Sequence, residues 1–155
     1  MGLEDTLFRR VLVAYDGSDQ SNHALEHAAK EAMLCKGELF ILTVSPEVHV
    51  PRFRTPGAGV ITPMVDGYKA GLKEEYAHVL RVAEKGVREK YPSLRVSTIF
   101  AEGKPHRVIC EEAEKIDATS IVVGNRGIHG VSGWILGETS RKVVDSCNRP
   151  VLVVK

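Results

Sequence analysis

The sequence predicts a doubly wound α/β domain built on a five-stranded parallel sheet. Three observations carry that prediction. Short, nearly continuous apolar runs recur along the 155 residues, each stopped by a turn signal, as in strands buried on both faces. Between them lie segments with apolar residues at helical spacing. The two kinds alternate strictly, β-α-β-α-β-α-β-α-β, which is the pattern of βαβ units.

Val11-Leu12-Val13-Ala14-Tyr15 is the first run, stopped by Asp16-Gly17-Ser18. Ser18 or Asp19 can cap the helix that follows, whose apolar positions Leu25, Ala28, Ala29 and Ala32 extend to about Lys36, with Gly37 as its stop. Leu39 to Val44 is the second strand. Residues 46–65 carry Pro46, Pro51, Pro56 and Pro63 with Gly57 and Gly59, and read as a flexible loop. From Asp66 to Tyr91 the chain is helical, with Leu72, Tyr76, Val79, Ala83 and Val87 on one face, and Pro92 ends it. Leu94 to Phe100 is the third strand. Gly103 and Pro105 open a helix striped by Val108, Ile109, Ala113 and Ile116. Thr119 to Val123 is the fourth strand, ending at Gly124. A helix from about Trp134 to Cys147 and a closing strand, Pro150 to Val154, complete a single domain over 1–155.

Right-handed crossovers leave few topologies. The natural one winds three strands one way and two the other, giving the order 3-2-1-4-5 with helices on both faces. The direction then switches between strands one and four. Ligands of such sheets bind beyond the carboxyl ends of the strands at that point. Asp16 lands there, and so does the stretch 124–140, which holds Gly124, Gly127, Gly130, Gly133 and Gly137. Glycines let backbone amides approach a ligand, a helix N-terminus suits phosphate, and Arg126 and His129 add donors. Spacing alone leaves two readings open, a phosphate site or a long glycine turn closing the sheet. Neither GxxxxGK[ST] nor a GxGxxG after a strand is present, so the P-loop and common dinucleotide readings fail.

Composition narrows the function classes. Hydrophobic residues make up 43% and charged residues 26%, which excludes disorder as the main state. Lys and Arg number 21 against 20 Asp and Glu, so no basic excess suits a nucleic-acid partner. No apolar run approaches the roughly 20 residues of a membrane span, and Met1 to Arg10 has no stretch of signal-peptide type, so a cytoplasmic location is expected. Met1 to Thr6 matches the myristoylation pattern, but two acidic residues sit inside it and the match is read against. Cys35, Cys110 and Cys147 are distant, odd in number and in no CxxC pair, and read as unpaired, small buried residues.

The segments Val11 to Ser18, Ile121 to Gly127 and Asn148 to Val154 together resemble the universal stress protein family in its A-type, single-domain form, and in that order along nearly the whole chain. The resemblance implies a Rossmann-like, adenine nucleotide alpha hydrolase-like fold. Gly124, Gly127 and Gly137 stand at the G-x2-G-x9-G spacing of its ATP-binding branch. It implies that Asp16 holds the ribose, that Ala14, Tyr15, Val44 and Val123 line the adenine pocket, and that amides near Gly127, Gly130 and Gly137 to Thr139 hold phosphates. The cofactor implied is ATP, or ADP or AMP, with Mg²⁺. One departure stands out: Glu138 occupies the position of the family's hydroxyl residue, where its charge opposes a triphosphate. Thr139 and Ser140 follow directly and could substitute. The resemblance also implies a homodimer joined through Val151, Leu152, Val153 and Val154, acting as a stress or energy-state sensor. The alternatives are a slow Mg²⁺-dependent ATPase using Glu138 and a nucleotide-free adaptor. No catalytic nucleophile or general base is evident.

Other motifs weigh less. His23-Ala24-Leu25-Glu26-His27 fits the inverted zincin pattern, but both histidines fall off the apolar face. Gly130 to Trp134 ends in Trp where a hydrolase elbow needs Gly. Lys104 and His106 read as surface residues at the pocket's end of the sheet. The 46–65 loop reads as a surface connection, or as a lid carrying Arg52 or Arg54 to phosphate.

Overall fold

In the computed structural model, residues 7–47, 61–126 and 136–155 are described. They form β1 (Arg10–Ala14), α1 (Asp19–Leu34), β2 (Glu38–Ser45), α2 (Ile61–Lys90), β3 (Arg95–Glu102), α3 (Pro105–Lys115), β4 (Ser120–Gly124), α4 (Glu138–Ser146) and β5 (Val151–Val154). The strands pair in the order β3-β2-β1-β4-β5, every pair parallel, as the alternation of elements requires. The central strands are buried almost throughout, while the edge strands β3 and β5 alternate. Unbroken apolar runs belong to the middle of such a sheet.

Alternation of side chains along the strands divides the interior into two cores. Val11, Val13, Ile41 and Val122 face α1 and α2, meeting Ala24, Ala28, Leu80 and Ala83. Leu12, Leu42, Ile121 and Val123 face the other way, toward Val108, Ile109 and Ala113 of α3 and Val143 of α4. Right-handed crossovers demand this partition: winding outward in one direction sets both helices on one face, and reversal sets the next two on the other. The α1 surface against the sheet is nearly all alanine, which lets the helix lie close.

Helix ends follow local chemistry. Ser18 is the cap of α1, its Oγ accepting from the Ser21 N–H at 3.2 Å. Pro105 opens α3, where a missing N–H costs nothing. Two expected boundaries move. The α2 helix starts at Ile61, not Asp66, so the expected 46–65 loop ends sooner; Pro63 falls in the first turn, where proline is tolerated. The α4 helix starts at Glu138, with Gly137 as its cap, so Leu136 and Gly137 lie outside the helix expected from Trp134. Trp134, Arg52 and Arg54 lie outside the described residues.

The cysteine reading is also corrected. Cys110 and Cys147 form a disulfide, their Cα atoms 5.2 Å apart, and Cys35 is free. The two are 37 positions apart in the chain and meet only because α3 and α4 share one face of the sheet. No helix among the described residues is long and apolar enough to cross a membrane.

The middle of α1 is clasped to the end of α2 by Glu26, whose Oε1 accepts from Lys90 Nζ at 2.6 Å and from the Tyr91 hydroxyl at 2.7 Å. These hydrogen bonds, Lys90 first and Tyr91 second, hold the Glu26 carboxyl below its ordinary 4.5. A carboxyl depressed on folding stabilises the fold above its unfolded value, and the gain vanishes as pH falls through the folded value. In urea unfolding followed against pH, Glu26→Gln is expected to flatten the loss of stability as pH falls below the ordinary carboxylate value of 4.5. The difference at neutral pH should stay below about 1 kcal/mol, since the pair is solvent-screened.

Candidate functional site

A cavity of about 450 Å³ opens beyond the carboxyl ends of β1 and β4, where the winding reverses. Its floor is apolar: Ala14, Leu42, Val44, Ile109 and Val123. Its rim is polar, with Asp16 and Arg126 joined by Glu138 and Thr139. The size and this division between floor and rim suit a small organic ligand with a charged end.

The β1 side of the site is rigid for identifiable reasons. The Tyr15 N–H donates to the Leu42 carbonyl at 2.8 Å, and Thr43 Oγ1 donates to the Tyr15 carbonyl at 2.9 Å. The Tyr15 hydroxyl donates to Asn22 Oδ1 of α1 at 2.8 Å. Burial, and then the charge of Asp16, push this phenol above its ordinary pKa of 10.0, so it remains a neutral donor. Asp16 Oδ1 accepts from the Ser18 N–H at 3.0 Å, and the Asp16 N–H donates to Ser21 Oγ at 3.4 Å. The carboxylate is thus held at a fixed point on the turn between β1 and α1.

The β4 side is built by ties across a long connection. The Asn125 N–H donates to the Val154 carbonyl at 2.7 Å, and the Gly137 N–H donates to the Asn125 carbonyl at 2.7 Å. Ser140 is buried, and its hydroxyl donates to the Asn125 carbonyl at 3.0 Å, with the Gly137 carbonyl at 3.1 Å. The start of α4 is therefore docked on the end of β4. First-turn amides have no partner inside their helix, and they carry the positive end of its dipole. That end suits an anion, and one is already near: the Glu138 carboxylate, exposed, accepts from Lys142 Nζ at 2.5 Å. That hydrogen bond, and then the Lys142 charge, hold Glu138 below its ordinary range, with smaller help from Arg141 and His106.

Every described residue expected at the site lines this one cavity: Ala14, Tyr15 and Asp16 from the β1 end, Val44 from β2, Val123, Gly124 and Arg126 from the β4 end, and Gly137 to Ser140 from the start of α4. Gly127, His129 and Gly130 lie outside the described residues. Of the two hydroxyls that could stand in for the family's, Ser140's is engaged with backbone, while Thr139 is exposed on the rim. Two motif glycines have a reason other than ligand approach. A Cβ on Gly124 would lie 2.9 Å from the backbone carbonyl of Gln20, and one on Gly137 would lie 3.2 Å from the Asn125 carbonyl oxygen. The first admits α1 and the second admits the β4 turn. His23 and His27 are exposed, and no group of three or more metal-ligating side chains occurs among the described residues.

Sequence reasoning missed Ser21, Leu42, Pro46, Tyr76, Pro105 and Ile109 as lining residues. Tyr76 was legible only as part of the apolar stripe of α2. Its helix packs on the sheet through Leu80, Ala83 and Val87 and runs on past the strand ends, so Tyr76 overhangs the cavity. Burial, then Asp16, push its hydroxyl upward too.

The universal stress protein family model matches residues 7–155. Universal stress protein YxiE of Bacillus subtilis is 35% identical over 150 residues, covering 96% of this chain and 100% of its own. Universal stress protein MJ0531 of Methanocaldococcus jannaschii is 31% identical over 154 residues, covering 97% of this chain and 84% of its own. Among solved structures, MJ0577 of the same archaeon superposes with a TM-score of 0.74 at 23% identity over 96% of both chains, a likeness of fold. A universal stress protein in complex with cAMP superposes with a TM-score of 0.66 at 29% identity, over 94% of this chain and 95% of that one.

The Gly124 contact makes a prediction that needs no ligand. Gly124→Ala should cost about 1–3 kcal/mol in chemical unfolding of the ligand-free protein, because the N-terminal turn of α1 must shift off β4. A variant as stable as the parent would mean that this glycine is not a packing requirement.

Proposed function

The chain belongs to the universal stress protein family, and on that footing we propose that it binds an adenine nucleotide in the cavity at the switch point and works as a nucleotide-responsive sensor. One observation carries the reading. The Asp16 turn and the start of α4, far apart in sequence, converge on one cavity with an apolar floor. The floor residues Ala14, Val44 and Val123 suit the faces of a purine. The Asp16 carboxylate is an acceptor for paired ribose hydroxyls, and the first-turn amides of α4 are donors to phosphate. The relative bound to cAMP supports an adenine ligand.

Glu138 sets the phosphate end apart. Its charge, only partly offset by Lys142, opposes a third phosphate more than a first. The reading therefore ranks AMP and ADP beside ATP, with Mg²⁺ as the ion that offsets charge where a triphosphate binds. We extend the reading to a homodimer joined through β5, whose outer edge leaves Leu152 38% exposed and offers unpaired backbone groups to a second copy. Ligand state would then be reported through that surface.

Thermal melts of nucleotide-free protein with ATP, ADP and AMP, with and without Mg²⁺, test the reading. Ligand at 100 times its dissociation constant adds about 2.7 kcal/mol, or roughly 5–10 °C for a chain of this size. That shift is expected for the parent and is expected to vanish in Asp16→Ala. No shift with any adenine nucleotide would leave an adaptor with an empty crevice as the better account. In the same assay Glu138→Thr should improve ATP relative to AMP by about fivefold, the worth of one screened charge.

A further inference from the structure

We propose that Cys110 and Cys147 form a reversible oxidation site, a two-electron clasp between α3 and α4 whose state sets how firmly the cavity wall is held. Cys110 follows Ile109, a cavity-lining residue buried to 1% exposure. Cys147 ends α4, whose first residues, Glu138 to Ser140, form the rim. The bond therefore joins the two helices that border the cavity on one face of the sheet.

The α4 helix depends on that bond more than its neighbours would. It is nine residues long, and among them only Ser140 and Val143 are buried. Helices so short have little stability of their own and rely on what they pack against. The disulfide closes a ring of chain that contains β4, α4 and the connection between them, with a separation of 37. Opening the ring returns configurational freedom to the whole of that segment. Both cysteines are half-buried, Cys147 packed against the second core, and both are within reach of small thiols and oxidants.

The chemistry closes with a dithiol as reductant and a peroxide as oxidant. A thiolate of the dithiol attacks one sulfur, the second thiol resolves the mixed disulfide, and a cyclic disulfide leaves. Cys110 and Cys147 together gain two electrons and two protons. In reverse, one cysteine thiolate attacks a peroxide oxygen, the O–O bond breaks, and a sulfenic acid and hydroxide form. The other thiol then displaces the sulfenic oxygen, which leaves as water while the S–S bond forms.

The test uses the full chain carrying Cys35→Ser, so that only the pair remains. Alkylation under denaturing conditions, read by intact mass, should find no free thiol after hydrogen peroxide, two after dithiothreitol, and none again after a second peroxide treatment. The reduced form should melt about 10 °C lower. Its amides over 138–146 should exchange faster, while those of α1 keep their rates. Because the effect on ligand rests on the nucleotide reading above, affinity is measured in both states, and reduction should weaken AMP or ATP by about fivefold or more. The reduced parent is itself a folded control, and Cys147→Ser should match it and ignore dithiothreitol. Thiols that stay alkylatable after peroxide would overturn the proposal. So would equal exchange at 138–146 in the two states, or equal nucleotide affinity in them. If no nucleotide binds in either state, the nucleotide reading fails by itself, and the clasp is decided by the melt and the exchange rates.

Discussion

The parallel pairing of β1 with β4 is the constraint on which the rest of this molecule depends. Val11, Leu12 and Val13 align with Ser120, Ile121 and Val122, and Thr119 closes the lower end by accepting from the Arg10 N–H and donating to the Leu7 carbonyl. On either side of this pair the chain winds in opposite directions. The helices that follow β1 and β4 therefore pack on opposite faces, and a crevice opens between the two strand ends. The cavity is what the topology leaves unfilled. Its floor is apolar because strands buried on both faces must be, and its rim is polar because turns and helix starts meet there.

Charge at the rim is arranged by backbone rather than by chance encounters of long side chains. Asp16 is held by the amide of its own turn, and the start of α4 is held by the Asn125 carbonyl. Two phenols, Tyr15 and Tyr76, stand near Asp16 and are kept protonated by burial and by that charge. The site thus presents acceptors on one side and amide donors on the other, with Glu138 and its partner Lys142 between solvent and the donors.

The fold was legible because each strand is a compact apolar run and each helix carries a stripe, so the two periods are easily separated. Asp16 and Gly124 were legible at the cavity because topology fixes which turns meet at a switch point, while Ala14, Tyr15 and Val123 were legible through the family resemblance. What escaped the sequence was tertiary in origin. The overhang of Tyr76 depends on where α2 crosses the strand ends, which its apolar stripe does not announce. The pairing of Cys110 with Cys147 depends on two helices sharing a face, which no spacing announces. The packing reason for Gly124 is likewise tertiary: the space it leaves is taken up by the backbone of Gln20.

The two cores are also unequal in how the chain reaches them. The face of α1 and α2 is made mainly by β1 through β3, with Val122 of β4 and Val154 of β5 joining it, whereas the other face is closed only when β4, α4 and β5 return to strands laid down much earlier. The Thr119 side chain meets the Leu7 carbonyl across a separation of 112 positions. Closing a loop of that size costs more entropy than joining neighbours in the chain, and distant pairings slow folding. The burden of assembly thus rests most heavily on the seam that creates the crevice, so that the slowest pairing of this chain and the position of its cavity are governed by the same pair of strands.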